Sequence, residues 1–319
     1  MKNYILKRLI IAIPTILGIT IFIFVGMRII PGDPLKYVET EGLGYIELTK
    51  EELELQRASL GLDRPYYIQY AVWIKDVING DFGFSFFTTE PISTIFGRRS
   101  PISIEIALIA IFFSFIIGVP LGMLCAVLRN TIFDNISRVG VTLFIAMPSF
   151  WLGMLIILFC VLILEWRPPL KLIQIWDDPG GNLAIVLLPG FTLGIGLSAV
   201  IARITRSSAL EIFHEDYIRT ARAKGLYESL VVWRHVLKNS LLPVVTTLGV
   251  ALGSLLGGSV SVEKAFGVPG MGNLLVAGIE ARDWMMIQNL ILIYGIIYTL
   301  INLVVDISYA YIDPRIRYD

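Results

Sequence analysis

Few residues in this chain are able to do chemistry, and their spacing excludes most kinds of it. The two histidines are His214 and His235, and the two cysteines are Cys125 and Cys160. A zinc site or disulfide framework needs more ligands at closer spacing, so both thiols read as small core residues and no metal site is expected. No Gly-x-x-x-x-Gly-Lys-Ser/Thr run is present to cradle phosphates, so any ATP must be bound by another protein. Neither His-Glu-x-x-His nor Gly-x-Ser-x-Gly occurs, which leaves no hydrolase centre. The chain is therefore not expected to be an enzyme. What it does concentrate is positive charge: Arg203, Arg206, Arg219, Arg222, Lys224, Arg234 and Lys238 crowd a single stretch. Two acids, Glu105 and Asp306, sit inside apolar runs. An ionisable residue at membrane depth is costly and marks either function or a structural partner. Asp306 shares a helical face with Tyr294, Tyr298 and Asn302, and both readings stay open for it and for Glu105.

The elements that must position these residues are membrane helices. Of 319 residues, 55% are hydrophobic and only 16% charged, with a mean hydropathy of +0.74. Soluble domains carry roughly 25% charged residues. A run of about 20 apolar residues spans the hydrocarbon core as a helix. Six segments qualify: Leu9 to Ile29, Ile102 to Val127, Val139 to Leu164, Leu183 to Ala202, Leu241 to Val262 and Met286 to Ile312. Pro14, Pro120, Pro148, Pro189 and Pro243 fall within them, as bilayer helices tolerate. Met147, Pro148, Ser149 and Phe150 interrupt the third, as a bend beside a pathway or as a packing kink. No cleavage pattern follows the first span, which is expected to remain as an anchor.

Basic residues set the orientation. Lys2, Lys7, Arg8, Arg129, Arg138, the stretch from Arg203 to Lys238, and Arg315 and Arg317 all fall on one side of a six-span chain, so both termini are expected in the cytoplasm. The stretch 31–100 is then the main outer feature. Thr49 and Glu52 make a capping box for a helix that Gly61 ends. A second helix is expected from Pro65 to Asn79, stopping at Gly80. Its Tyr66, Tyr70, Trp73 and Val77 recur at helical spacing, suited to the membrane interface, to packing on the spans, or to docking another protein.

The basic stretch between spans four and five is too long and too patterned for a passive loop. Glu215 and Asp216 lie near the start of a short helix, and Arg222 and Lys224 near its end, matching the helix dipole. Gly225 suits a left-handed C-terminal position. A second helix is expected from Glu228, with Leu230, Trp233 and Leu237 on one face. Without further information, these bases are read equally well as topology signals. However, the run Asp216-Tyr-Ile-Arg219-Thr220-Ala221-Arg222-Ala-Lys224-Gly225-Leu226, followed by Arg234-His-Val-Leu-Lys-Asn and Leu242-Pro243, resembles the "EAA" loop of bacterial ABC importer permeases. It is most similar to the dipeptide/oligopeptide/nickel branch, in which Arg219, Thr220 and Ala221 occupy the naming positions. Pro31-Gly-Asp-Pro34, Gly80-Asp-Phe-Gly-Phe-Ser85, Phe266-Gly-Val-Pro-Gly-Met-Gly272, Arg282-Asp-Trp284 and Asp313-Pro-Arg-Ile-Arg317 resemble further signatures of that branch, nearly end to end.

The resemblance implies an all-α, type I ABC importer permease fold of six transmembrane helices with an outer helical insertion after the first span. It divides the chain into a cytoplasmic N-terminus and first helix (1–30), the insertion (31–100), a five-helix transmembrane domain (101–312, coupling loop about 204–240) and a cytoplasmic tail (313–319). It implies a bacterial inner-membrane location, with a second, homologous permease, two ABC ATPase subunits carrying ATP and Mg, and an extracytoplasmic substrate-binding protein as partners. No cofactor is expected on this chain, and no nucleic acid. The ATPase contact would fall around Arg219 to Leu230. Peptides are the implied substrate, with nickel chelates, glutathione and oligosaccharides open. Span five adds Gly249, Gly253 and Gly257, whose spacing permits close helix approach, either as packing within the subunit or as a movable seam beside the pathway. Two rival readings remain: a gradient-driven carrier, which predicts internal repeats not seen here, and a structural or signalling anchor without transport.

Overall fold

A computed structural model describes residues 2–29, 37–40, 44–47, 50–59, 61–86, 88, 90–167, 169 and 171–312, with side chains for 8–29, 51, 54–55, 57–58, 61–86, 88, 90–167, 169, 171–305 and 307. In chain order, α1 (Lys2–Ile29) leads into β1 (Tyr37–Thr40), β2 (Gly44–Glu47), α2 (Lys50–Ser59) and α3 (Tyr66–Ile78). Next come α4 (Ile92–Val127), α5 (Ile132–Ala146), α6 (Ser149–Leu164), α7 (Pro179–Ile212), α8 (Asp216–Ala223) and α9 (Glu228–Leu230). A π-helical stretch, Val231–Leu237, joins α9 to α10 (Lys238–Gly258), and α11 (Val260–Phe266), α12 (Met271–Glu280) and α13 (Trp284–Ile312) complete the described chain. The architecture is all-helical apart from the two-stranded antiparallel ribbon, in which Tyr37 pairs with Glu47 and Thr40 with Gly44.

Five helices are long and apolar enough to cross a membrane, and six when the bent pair α5–α6 counts as one. The expected third span is thus two helices meeting at 104°. Pro148 supplies the reason. It has no N–H to donate and disfavours a helical residue before it, and both Met147 (ψ 128°) and Pro148 (ψ 133°) are extended. Other limits shift too: α1 begins at Lys2 rather than Leu9, α4 at Ile92 rather than Ile102, α7 reaches Ile212 rather than Ala202, and the expected fifth span, Leu241 to Val262, is divided at Ser259 between α10 and α11.

The pair α4–α7, whose contacts run in the same direction along both helices, is the centre of the bundle. A Cβ on Gly118 would lie 2.7 Å from the Ser198 carbonyl, and one on Gly122 2.5 Å from that of Ala202. On the opposite helix, Gly190 and Gly194 meet Ile109 and Phe113 as closely. Small residues four apart on both helices bring the backbones together, which substitutes for the hydrophobic drive that lipid removes. Around this seam Ile102, Ile106, Ile185, Leu193, Val262 and Phe266 form one buried cluster. Cys125 and Cys160 are buried and free, as core residues.

The insertion attaches at the N-terminal end of α4. Gly61 closes α2 in the left-handed conformation (φ 65°), with Leu62 N–H on the Arg57 carbonyl at 2.9 Å. α3 matches the expected second helix and stops at Gly80. Of its aromatic face, Trp73 is buried and Tyr70 and Val77 pack with it on α1 and α13, the intramolecular of the three readings; Tyr66 points outward. The Tyr70 hydroxyl lies 2.8 Å from that of Thr20. The capping-box pair Thr49–Glu52, Pro31 to Pro34 and Asp313 to Arg317 lie outside the described residues or side chains.

Candidate functional site

At the opposite end of α4 the chain folds a compact hairpin from α8, α9 and the π-helical stretch. Asp216 occupies the first turn of α8 and pairs with Arg219 at 3.3 Å, while Thr220 Oγ1 donates back to the Asp216 carbonyl at 2.9 Å. The helix ends at Lys224, and Gly225 turns left-handed at φ 78°. Gly225 N–H then donates to the Arg222 carbonyl at 2.9 Å and Leu226 N–H to that of Ala221 at 3.4 Å. This crossed pair satisfies the terminal carbonyls and depends on a residue that tolerates positive φ. Nothing lies within 4 Å of a Cβ placed on Gly225, so conformation, not space, demands glycine.

Across the turn Arg222 grips Glu228 in a fork, Nε to Oε2 at 3.0 Å and Nη2 to Oε1 at 2.6 Å, and its guanidinium stacks on Phe213. Hydrogen bonding to Glu228 raises the Arg222 pKa above its ordinary value. The hairpin is keyed to the bundle by Ile218, Ala221, Val231 and Val236, which pack against Met123 and Ala126 of α4 and Ala209 of α7. Each large apolar side chain buried this way contributes about 1.5–3 kcal/mol. Val231 and Val236 are five apart, the repeat of a π-helix. That stretch corrects the expected face of Leu230, Trp233 and Leu237: Leu237 is half-buried, whereas Trp233 is 66% and Leu230 40% exposed. With Tyr227 at 84% exposure, these two leave an apolar patch at the hairpin tip, flanked by the exposed Arg219 and Lys224.

Sequence reasoning missed two buried polar centres. Asp134 of α5 is fully buried and takes both hydrogen bonds of Arg206 on α7, each at 2.8 Å, tying the bent pair to the hairpin end of the bundle. At the other end Glu263 of α11, also fully buried, caps the N-terminus of α12. Its Oε2 accepts from the Gly272 and Asn273 N–H groups at 2.7 and 3.2 Å, and its Oε1 from the Ser259 and Ser103 hydroxyls at 2.9 and 2.8 Å. Ser103, on α4, also accepts from Met271 N–H at 2.8 Å. Gly270 and Gly272 leave the space: a Cβ at either would lie 2.3 or 2.9 Å from Glu263 Oε2. The segment Phe266 to Gly272 is therefore the seat of a carboxylate. Two other sequence signatures meet nearby, where Ser85 donates to Asp283 at 2.5 Å and Asp283 caps α13 through Met286 N–H at 3.0 Å.

The remaining candidates scatter. Cβ atoms on Gly249 and Gly253 would strike Val305 and Tyr298 of α13 at 2.6 and 2.9 Å, which is packing within this chain, whereas Gly257 has nothing within 4 Å. Asn302 lines a cavity of about 260 Å³ with Arg8, Thr15 and Thr299. Glu105 accepts from Asn182 Nδ2 at 2.8 Å, a structural bond. The side chain of Asp306 lies outside those described. Among the described residues no His, Cys, Asp and Glu group is arranged to hold a metal.

Residues 118–318 match the family described as binding-protein-dependent transport system inner membrane component, and residues 1–107 match the corresponding N-terminal family. The glutathione transport system permease protein GsiC of Escherichia coli (strain K12) is 39% identical over 318 residues, covering 100% of both chains. Its namesake from Shigella flexneri serotype 5b (strain 8401) is also 39% identical over 318 residues, with 100% of both chains covered. Among solved structures, an inward-facing conformation of the MetNI methionine ABC transporter aligns with a TM-score of 0.58 at 21% identity, covering 71% of this chain and 100% of that one, which establishes a shared fold.

Proposed function

The chain belongs to the binding-protein-dependent transport system inner membrane component family and is the multi-pass permease subunit of an ABC importer, not an enzyme; from that premise we propose that it carries glutathione or short peptides and couples to its ATPase through the α8 hairpin. ATPase and substrate-binding partners are those of the family. The finer assembly, with a second homologous permease and two ATPase subunits that alone hold ATP and Mg, belongs to this proposal. So does orientation: the hairpin end faces the cytoplasm with both termini, in keeping with the basic residues gathered there, and the insertion faces outward.

The observation that carries the coupling assignment is the hairpin's two-sidedness. Its buried face is locked to α4 and α7, and its exposed face presents Tyr227, Leu230 and Trp233. Exposed apolar side chains grouped together and rimmed by polar ones mark a surface suited to a partner. A displaced partner would move the whole α4–α7 pair, because the hairpin cannot slide over Ile218 and Val231 without exposing them. A ligand shifts such an equilibrium only by its differential affinity for the two states, so ATP must change how tightly the ATPases hold the paired hairpins. The glutathione reading comes from the 39% identical relatives and covers the wider class of short peptides.

A Tyr227→Cys variant of the assembled transporter tests the contact. This chain's native cysteines are buried, so a short heterobifunctional thiol-to-amine crosslinker attached at position 227 should join it to a lysine of an ATPase subunit, with yield changing on ATP addition. Failure to capture that subunit in any nucleotide state would remove the coupling assignment.

A further inference from the structure

We propose that the insertion completes a binding site for the two charged ends of a short peptide. A cavity of about 270 Å³ lies between α3, the loop after α2, the 81–86 segment and the adjoining ends of α1 and α13. Its size falls just below that of drug-sized ligand pockets, about 300–1,000 Å³, as suits a dipeptide. Arg28, Arg64, Asp76 and Asp81 line it, with Trp73 and Trp284 among the apolar walls. No ion pair forms among these four charged side chains.

Opposite charges around a cavity close on one another unless something holds them apart. Here the framework does so for Arg28 and Asp81. Arg28 Nη1 donates to Gln288 Oε1 at 2.9 Å and its Nη2 to Gln69 Oε1 at 3.1 Å, while the guanidinium lies 3.3 Å above the Phe24 ring centre. Gln69 is itself fixed, its amide donating to the Arg64 and Leu62 carbonyls at 2.8 and 3.1 Å. Asp81 is turned by the Gly83 N–H at 2.8 Å. Arg28 is thus a largely buried cation held by neutral amides and an aromatic face, with no carboxylate paired to it among the described residues. Retaining such a charge is costly, and the missing anion is what a ligand brings. A peptide carboxylate would meet Arg28 and Arg64, its ammonium would meet Asp76 and Asp81, and its side chains would lie on the tryptophans. The site would hold substrate on the permease itself, apart from the bundle interior.

This assignment rests on the peptide-class reading, and direct binding separates the two. The assembled transporter, without its binding protein, is placed in phosphatidylglycerol nanodiscs and titrated with radiolabelled alanyl-alanine, its N-acetyl form and its C-terminal amide. Saturable binding of alanyl-alanine, weakened about tenfold or more in each blocked form, is expected, since one lost charge contact of about 1.4 kcal/mol is a factor of ten. Asp76→Asn, near the surface, should weaken alanyl-alanine and the amide but spare neither preferentially, whereas Arg28→Gln should remove the preference for a free carboxylate while its melting temperature stays at or above that of the wild type. Equal binding of all three probes would overturn the proposal. So would absence of binding in a preparation that still imports peptide when its binding protein is supplied, a result that leaves the peptide reading intact. Loss of dipeptide binding on adding phosphatidylethanolamine would assign the cavity to a lipid headgroup and overturn the peptide assignment.

Discussion

Replacing Glu263 separates acceptor geometry from mere bulk in the α11–α12 lock. In Glu263→Ala the Gly272 and Asn273 N–H groups lose their acceptor, and the Ser103 hydroxyl loses its own. Ser259 is spared, because its hydroxyl already reaches the Leu256 carbonyl at 3.1 Å. Two orphaned, buried backbone donors cost about 1–3 kcal/mol each, and the void left by the side chain adds to that. Single substitutions seldom exceed about 4–5 kcal/mol, since local collapse and water recover part of the loss, so about 4 kcal/mol is expected. Glu263→Gln keeps one oxygen for both N–H groups and turns its NH₂ toward the two serine oxygens, which can accept; about 1 kcal/mol is expected. Hydrogen exchange of peptides covering residues 268–275, read by mass spectrometry on the transporter in nanodiscs, reports the local opening directly. The alanine variant should exchange about a thousandfold faster and the glutamine variant within about tenfold of wild type. If alanine leaves protection within about threefold, the carboxylate does not hold α12, and the account of Gly270 and Gly272 as its seat fails with it.

Other perturbations read other parts of the fold. Gly225→Val places a β-branched residue at φ 78°, which costs roughly 1–2 kcal/mol in the left-handed region; ATP hydrolysis should persist while uptake per ATP falls several-fold and membrane insertion stays normal, and fully coupled uptake would remove the role given to the turn. Asp134→Asn breaks a bidentate pair whose Arg206 is 22% exposed, so the loss should be about 3 kcal/mol, seen as a lowered melting temperature that Arg206→Gln in the same chain partly restores. Gly122→Ala forces a methyl against the Ala202 carbonyl at 2.5 Å, whereas Gly257→Ala meets nothing within 4 Å. The first should cut the yield of folded protein sharply and the second should match wild type; equal yields would refute the close-packed seam.

What was legible in the sequence follows from how local each cause is. Gly61, Gly80 and Gly225 announce helix ends because left-handed backbone is a property of one residue, and all three turn as expected. Hydropathy places the C-terminal limits of α1 and α13, at Ile29 and Ile312, and the start of α13 to within two residues. The break at Pro148 was visible, but not its 104° angle, which depends on what α5 and α6 pack against. Glu263 was illegible as a cap because its donors come from α4, α11 and α12 at once, and no spacing rule links position 263 to Ser103. The same holds for Asp134 and Arg206, 72 residues apart. The Gly118–Gly122 and Gly190–Gly194 spacings match those of span five, and only the packed partner tells which pairs make a close seam. In the loop, helix periodicity misplaced Leu230 and Trp233 because one π-helical stretch resets the phase.

These features bear on how a push at one end is felt at the other. α4 has 36 residues, about 54 Å at the helical rise of 1.5 Å per residue. Its C-terminal end carries the hairpin core at Met123 and Ala126, and its N-terminal end carries Ser103 of the Glu263 lock. Between them Gly118 and Gly122 weld it to α7, whose own ends carry Ala209 against the hairpin and Asn182 bonded to Glu105. Two helices joined along such a seam move as one rod, because sliding would drive backbone carbonyls into neighbouring atoms already at contact. On the coupling proposed above, a push on the hairpin would be carried along this rod towards Ser103. What can yield lies at the rod's ends, in the hydrogen bonds of Glu263 and in the turn at Gly225.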